Sequence, residues 1–113
     1  IHIISNRYSW DKNGYATDIE KPIIHSMNKD ETVLKEFDFY DKIKDRKNVI
    51  LLGDNPGDTQ MVTGFDYDNL LKIGFLNDIK EDKLIKYKEI YDIVIPGDGT
   101  MEFINKYLRD ISD

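Results

Sequence analysis

Asp54 and Asp58 stand four residues apart in Gly53-Asp54-Asn55-Pro56-Gly57-Asp58, directly after the apolar run Val49-Ile50-Leu51-Leu52. A short apolar run closed by Gly and Pro reads as a buried strand delivering its exit to a turn. Two carboxylates on such a turn suit a hard cation such as Mg2+, which takes oxygen ligands and keeps several of its waters. Open parallel sheets bind their ligands beyond the carboxyl ends of the strands, where Asp54 would lie. A plainer role fits the same spacing, with Asp58 a helix-capping acid and Asp54 a turn residue. A second acidic stretch, Asp11-Lys12-Asn13-Gly14, superficially resembles the start of a calcium loop. The EF-hand loop needs Gly at position six and Glu at twelve, whereas Gly14 is fourth and Pro22 twelfth, so a hairpin turn is the better reading.

The elements around the acidic turn alternate between the two periodicities. Ile1–Asn6 reads as a strand, and Asn13-Gly14 between aromatics over Tyr8–Thr17 predicts a small β-hairpin. Asn28 and Glu31 have the spacing of a capping box, opening a helix with Val33, Leu34, Phe37, Tyr40 and Ile43 on one face. Val49–Leu52 is a second strand, followed by a short helix after Asp58 that carries Met61 and Val62. Leu70–Leu76 reads as a strand, Asp82–Tyr87 as a helix and Tyr91–Ile95 as a strand stopped by Pro96-Gly97. A last helix from about Thr100 carries Met101, Ile104, Leu108 and Ile111 on its inner face. Strands alternating with helices predict an α/β fold, a parallel sheet with helices packed on it.

Composition narrows the class. The 113 residues suffice for one core, and 40% hydrophobic and 12% aromatic content argue for a folded chain. The net charge of −6 argues against a general nucleic-acid binder. The lysines alternate with acids, as in Lys80-Glu81-Asp82-Lys83, which reads as a solvated surface. The sequence has no cysteine, hence no disulfide, thiolate metal site or cysteine nucleophile, which fits a cytoplasmic protein. No apolar run approaches the roughly 20 residues that span a bilayer, so no membrane partner is expected. Ile1-His2-Ile3-Ile4 starts abruptly in strand-like sequence, and a piece of a longer protein is the expectation.

In order, Ile3-Ile4-Ser5-Asn6, Asn28-Lys29-Asp30, Leu51-Leu52-Gly53-Asp54 through Gly57-Asp58 and Met61, Lys72 through Asp78, and Tyr91-Asp92-Ile93-Val94 resemble successive landmarks of one family. The set, which spans essentially the whole chain, is similar to the haloacid-dehalogenase-like phosphohydrolases. More narrowly, it resembles the cytosolic pyrimidine 5′-nucleotidases. The resemblance implies a Rossmann-like three-layer αβα core, incomplete here, with Asp54 binding Mg2+ directly and Asp58 acting through water or holding its neighbours. It places Lys29 at the helix-start position where the family keeps a lysine. Such an ammonium contacts the transferring phosphoryl group and offsets repulsion among crowded carboxylates. By residue type alone, Lys29 is one of 13 lysines and reads as surface. Ser5 and Asn6 end a strand near the implied site, and a turn or capping role suits them equally.

One part of the family pattern is missing. Its nucleophile lies in an Asp-x-Asp-x-Thr-like motif after the first core strand, with a phosphate-holding Ser or Thr after the next. Asp66-Tyr67-Asp68 is the only Asp-x-Asp, in a polar loop with no strand before it, and Asp38 and Asp41 do not fit. Covalent phosphoryl transfer needs that nucleophile, so this chain by itself is expected to be inert. The resemblance identifies residues 1–113 as a carboxyl-terminal half of the core, without the first-motif strand and cap domain. A sheet without its central strands exposes edges and apolar faces. An amino-terminal partner fragment, another chain completing the sheet, or a rearranged sheet is therefore expected. The implied activity of the whole is Mg2+-dependent hydrolysis of a pyrimidine nucleoside 5′-monophosphate through an aspartyl-phosphate. The alternative is a non-catalytic partner-binding module that keeps a half-core, with Tyr8, Trp10 and Tyr15 as its contact surface.

Overall fold

The computed structural model describes residues 1–25 and 27–112. Ten elements follow one another: β1 (Tyr8–Trp10), β2 (Ala16–Ile19), α1 (Glu31–Leu34), α2 (Tyr40–Ile43), β3 (Asn48–Gly53), a 3-10 helix (Pro56–Val62), β4 (Asn69–Leu76), α3 (Glu81–Ile90), β5 (Ile93–Pro96) and α4 (Glu102–Ser112). Their contacts divide the chain into two compact units. One comprises Ile1–Val49 with Gln60–Asn69, the other Ile50–Thr59 with the chain from Leu70 onward.

The second unit is built on the three-stranded parallel sheet, in the order β3-β4-β5. β4 is the middle strand, and Ile73 stands opposite Ile93 and Phe75 opposite Ile95. Its sequence Leu70-Leu71-Lys72-Ile73-Gly74-Phe75-Leu76 is nearly continuous in apolar residues, the pattern of a strand covered on both faces. Neighbouring positions Ile73 and Gly74 are both buried accordingly. Leu76, Tyr87 and Tyr91 form a buried cluster with Leu84, Ile90 and Val94 packed against it. α3 brings Leu84 and Tyr87 to this cluster at helical spacing, and its chain continues directly into β5.

Three details of this unit differ from the sequence expectation. β5 starts at Ile93 instead of Tyr91, because Tyr91 closes α3, its N–H donating to the Tyr87 carbonyl (2.8 Å). A 3-10 helix begins at Pro56, ahead of Asp58, where a short helix was expected after it. In α4 Ile104 is buried, while Leu108 and Ile111 of the same predicted face are exposed, as is Met101, which lies just before the helix. The apolar stripe is wider than the surface that covers it among the described residues.

In the first unit, β1 and β2 pair antiparallel, Tyr8 with Ile19 and Ser9 with Asp18, as the turn sequence predicts. The Asp11 carboxylate accepts the Asn13 (2.8 Å) and Tyr15 (3.0 Å) N–H groups, so it is consumed in closing the hairpin. Tyr8, Trp10 and Tyr15 are exposed. Ile1–Asn6 is not a strand, contrary to expectation: it pairs with no described strand, and Ile1 and Ile3 are exposed. A strand is stable only where a neighbour takes up its main-chain donors and acceptors. Asn6 instead uses its side-chain amide, donating to the Ile24 carbonyl (2.8 Å) and accepting the Ile24 N–H (2.7 Å).

The single helix predicted from Asn28 is two short ones. The N-cap of α1 is Asp30, whose carboxylate accepts the Thr32 N–H (2.8 Å), while the Asn28 side chain ties the preceding loop at Ile23 and His25. The Glu36 and Phe37 N–H groups bond three residues back, tightening the last turn until the helix stops. Glu31 is therefore not the far half of a capping box. Its carboxylate accepts the Tyr40 hydroxyl and tethers α2 to the first turn of α1.

Ile73, at the centre of β4, has no exposed surface. Ile73→Ala in the protein carrying this chain is expected to lower unfolding stability by about 2–5 kcal/mol, read from urea denaturation, since a packed strand centre collapses poorly around a cavity.

Candidate active site

The acidic turn leaves β3 at Gly53 and is held from within. One Asp58 carboxylate oxygen accepts the N–H groups of both Asp54 and Asn55, each at 3.0 Å. The Asn55 side chain accepts the Gly57 N–H (2.9 Å), and the Asn55 carbonyl accepts the Asp58 N–H (2.9 Å). Asp58 is half-buried and acts as the clasp of the turn, whereas Asp54 is exposed. Among the described residues the Asp54 carboxylate takes no hydrogen bond or ion pair. The structure thus brings the two predicted acids together with different tasks, one spent on backbone and one unspent.

Two side chains that the sequence marked only as the end of a helix and the start of a strand meet the same turn. The Tyr87 hydroxyl donates to the Asp54 carbonyl and the Tyr91 hydroxyl to the Asn55 carbonyl, both at 2.6 Å. The rings stack tilted with centroids 5.7 Å apart. Tyr87 lies on α3 and Tyr91 is the residue that caps it, four positions on, a spacing hidden in the sequence by the reading of Tyr91 as the start of a strand. Space for Tyr91 is made by two glycines. A β-carbon at Gly74 would sit 2.4 Å from the Tyr91 ring, and one at Gly53 would sit 2.7 Å from both the Tyr91 hydroxyl and the Asp58 β-carbon. Burial above all, then the negative charge of Asp58, pushes the Tyr91 hydroxyl up from 10.0 to about 12, with smaller contributions from Tyr87 and Asp54.

Beyond the carboxyl ends of β3 and β4 lies a hollow of about 380 Å³, lined by Asp54, Asn55, Asn77, Asp78, Lys83 and Lys86 among others. Lys83 bonds Asp78 at 2.8 Å and Lys80 stands 3.5 Å from the same carboxylate. The Lys83 hydrogen bond, reinforced by both ammonium charges, holds Asp78 below the usual carboxylate range despite some desolvation. Asp78 is therefore already paired with ammonium groups, which leaves Asp54 as the acid in this hollow with an uncommitted carboxylate among the described residues.

No three His, Asp or Glu side chains gather into a metal-holding cluster among the described residues. Asp54, whose carboxylate is unpaired among the described residues, is the residue that could ligate a cation such as Mg2+, which is commonly held by one or two carboxylates with water and substrate phosphate completing the shell. Lys29 belongs to the first unit. It is exposed in the turn directly before Asp30, the cap of α1, and lines a 280 Å³ cavity with Ile4, Ile24, Asp30, Val33 and Met61, among others. Ser5 lines a separate 260 Å³ cavity beside Arg7 and Glu20, and Asn6 is occupied with Ile24. The rejected Asp66 pairs with Lys47, whose carbonyl accepts the Asp68 N–H (2.9 Å), so Asp66-Tyr67-Asp68 is anchoring a loop.

Comparison with known proteins gives this turn a context. The family described as pyrimidine 5′-nucleotidase (UMPH-1) matches residues 1–112. The chain belongs to that family. Relatives of this chain include the 7-methylguanosine phosphate-specific 5′-nucleotidases of Mus musculus and Gallus gallus, each 38% identical over 112 residues. These alignments cover 98% of this chain and 37% and 39% of those proteins. A Caenorhabditis elegans protein named putative cytosolic 5′-nucleotidase 3 is 39% identical over 115 residues, covering 98% of this chain and 31% of that one. Among solved structures, cytosolic 5′-nucleotidase IIIB bound to cytidine superposes with a TM-score of 0.83 at 34% identity, over 98% of this chain and 38% of that chain. The fold is accordingly the haloacid-dehalogenase-like α/β fold expected from the sequence. The chain spans less than two fifths of the length of the curated relatives it matches.

Two outcomes follow from this geometry. Gly53→Ala is expected to lower stability by about 1–3 kcal/mol through overpacking, whereas Gly57→Ala, whose nearest neighbour would be 3.3 Å away, costs much less in the same denaturation assay. The raised Tyr91 value means that the fold favours the neutral phenol. The stability it contributes is complete below about pH 10 and is lost as pH rises through about 12. Alkaline titration followed by phenolate absorbance should show a late phase near pH 12 that Tyr91→Phe diminishes.

Proposed function

We propose that the protein carrying this chain is a Mg2+-dependent phosphohydrolase that converts nucleoside 5′-monophosphates to nucleoside and phosphate. The observation that carries the reading is the uncommitted Asp54 carboxylate at the exit of β3, on a turn clasped by Asp58, in a chain of a 5′-nucleotidase family. Asp54 is the direct metal ligand. Asp58 holds the backbone that carries it. Lys29 lends positive charge to the phosphoryl group, as ammonium groups do in such sites. Bound Mg2+ would supply charge neutralisation for the transferring phosphoryl oxygens.

The nucleophile is an aspartate supplied from outside these 113 residues, and the reaction runs through an aspartyl-phosphate. This chain alone is inactive, since positioning and charge neutralisation act on a bond that something must still attack. The substrate class is supported by the family description, which names pyrimidine 5′-nucleotidases, and by the cytidine in the similar solved structure. The names of several relatives make 7-methylguanosine monophosphate the second base to assay. The proposed compartment is the cytosol, in keeping with the names of the nematode relative and the similar structure. No described helix is long and apolar enough to cross a membrane.

The test is Mg2+-dependent phosphate release from CMP, UMP and 7-methyl-GMP by the longest natural product containing this chain. Asp54→Asn and Lys29→Met should each lower kcat by about 10²–10³-fold, the usual range for removing one preorganised charge-stabilising group. Unchanged rates in both variants would sink the site, and absence of phosphate release from all three nucleotides would favour the partner-binding alternative.

A further inference from the structure

The backbone of the metal-site turn is accounted for atom by atom. The N–H groups of Asp54 and Asn55 both go to Asp58, and the carbonyls of the same two residues go to Tyr87 and Tyr91. All four main-chain polar groups of this dipeptide thus meet side chains, and the Asn55 carbonyl takes the Asp58 N–H (2.9 Å) as a second donor. Tyr91 is itself seated against Gly74 of β4, where only a glycine leaves room for the ring, and its side chain is almost wholly buried. Tyr87 is likewise buried, in the same cluster as Leu76. The chain of contact therefore runs from the middle strand, through two phenol rings, to the peptide units that carry the Asp54 side chain.

We propose that Tyr87 and Tyr91 are positioning residues that fix the Asp54 carboxylate for Mg2+. The inference rests on the reading of Asp54 as the metal ligand. A carboxylate on a fixed backbone loses little freedom when it takes up a cation, whereas one on a slack turn must be ordered at the moment of binding. Neither hydroxyl contacts the metal or the phosphate in this account, so their removal changes metal affinity before it changes nucleotide recognition.

The experiment is calorimetric titration of Mg2+ into the metal-free longest natural product, comparing wild type with Tyr87→Phe and Tyr91→Phe. Phenylalanine keeps each ring and deletes one hydrogen bond. The Mg2+ Kd is expected to rise about tenfold in each variant, the equivalent of one ordinary hydrogen bond. The nucleotide KM measured at saturating Mg2+ should stay within about twofold. A purely structural role would lower the melting temperature and leave the Mg2+ Kd alone, and that result overturns the proposal. Should Tyr91→Phe fail to fold, Tyr87→Phe, which loses only the bond to the Asp54 carbonyl, decides the same question. Asp54→Asn separates the two levels: if it binds Mg2+ like wild type, the Asp54 reading falls and this inference with it. If it loses Mg2+ while both phenylalanine variants retain wild-type Kd, only the positioning role falls.

Discussion

The Asp58 carboxylate, which accepts two adjacent N–H groups at 3.0 Å, is the contact on which the arrangement around β3 depends. Strand exits ordinarily leave main-chain donors to water, and a turn of that kind samples many conformations. Here one ionised side chain collects both donors, and charge-assisted bonds of this type are stronger than neutral ones. The clasp explains why the second acid of the pair is half-buried and the first exposed. Their four-residue spacing serves the closure of the turn first, and the chemistry available to Asp54 follows from that closure.

The two units draw on different sources of order. In the unit that carries the turn, a nearly continuous apolar strand, Leu70–Leu76, is covered on both faces and supports the tyrosines that reach the turn. In the unit that carries Lys29, side-chain to backbone bonds do comparable work over short distances: Asp11 closes the hairpin, Asn6 grips Ile24, Asn28 ties the loop at Ile23 and His25, and Asp30 caps α1. These ties are mostly exposed, and each contributes modestly. The phosphate-binding role proposed for Lys29 thus sits on a framework of polar turns, the role proposed for Asp54 on a hydrophobic core.

The sequence was most legible where local pattern and final environment agree. β3, β4 and β5 are short apolar runs bounded by Gly, Pro or Asp, and all three appear within two residues of expectation. Asn13-Gly14 specified its hairpin through turn chemistry alone. Ile1–Asn6 was misread because strand propensity is realised only when another strand lies alongside, which no window of sequence reveals. Asn28 was misread as a cap because three polar residues in a row, Asn28, Lys29 and Asp30, offer more than one helix start. The acids of the candidate site were visible from residue type and spacing. Tyr87 and Tyr91 were not, because their hydroxyls find partners 33 and 36 residues away. In the sequence pattern they stand only at the end of one element and the start of the next.

Gly53, Gly74 and Tyr91 occupy one shared volume, since a β-carbon at either glycine would fall within 2.7 Å of the tyrosine side chain. Substitution at these positions is therefore not three independent choices. A larger residue at 74 meets the Tyr91 ring, and one at 53 meets the Asp58 side chain as well as the Tyr91 hydroxyl, so a smaller residue at 91 relieves the first fully and the second only in part. That smaller residue also removes one of the two donors to the Asn55 carbonyl. A change at any one of the three therefore disturbs the turn that carries Asp54. The small residues behind the acids shape that turn by the space they leave, although they carry no functional group at all.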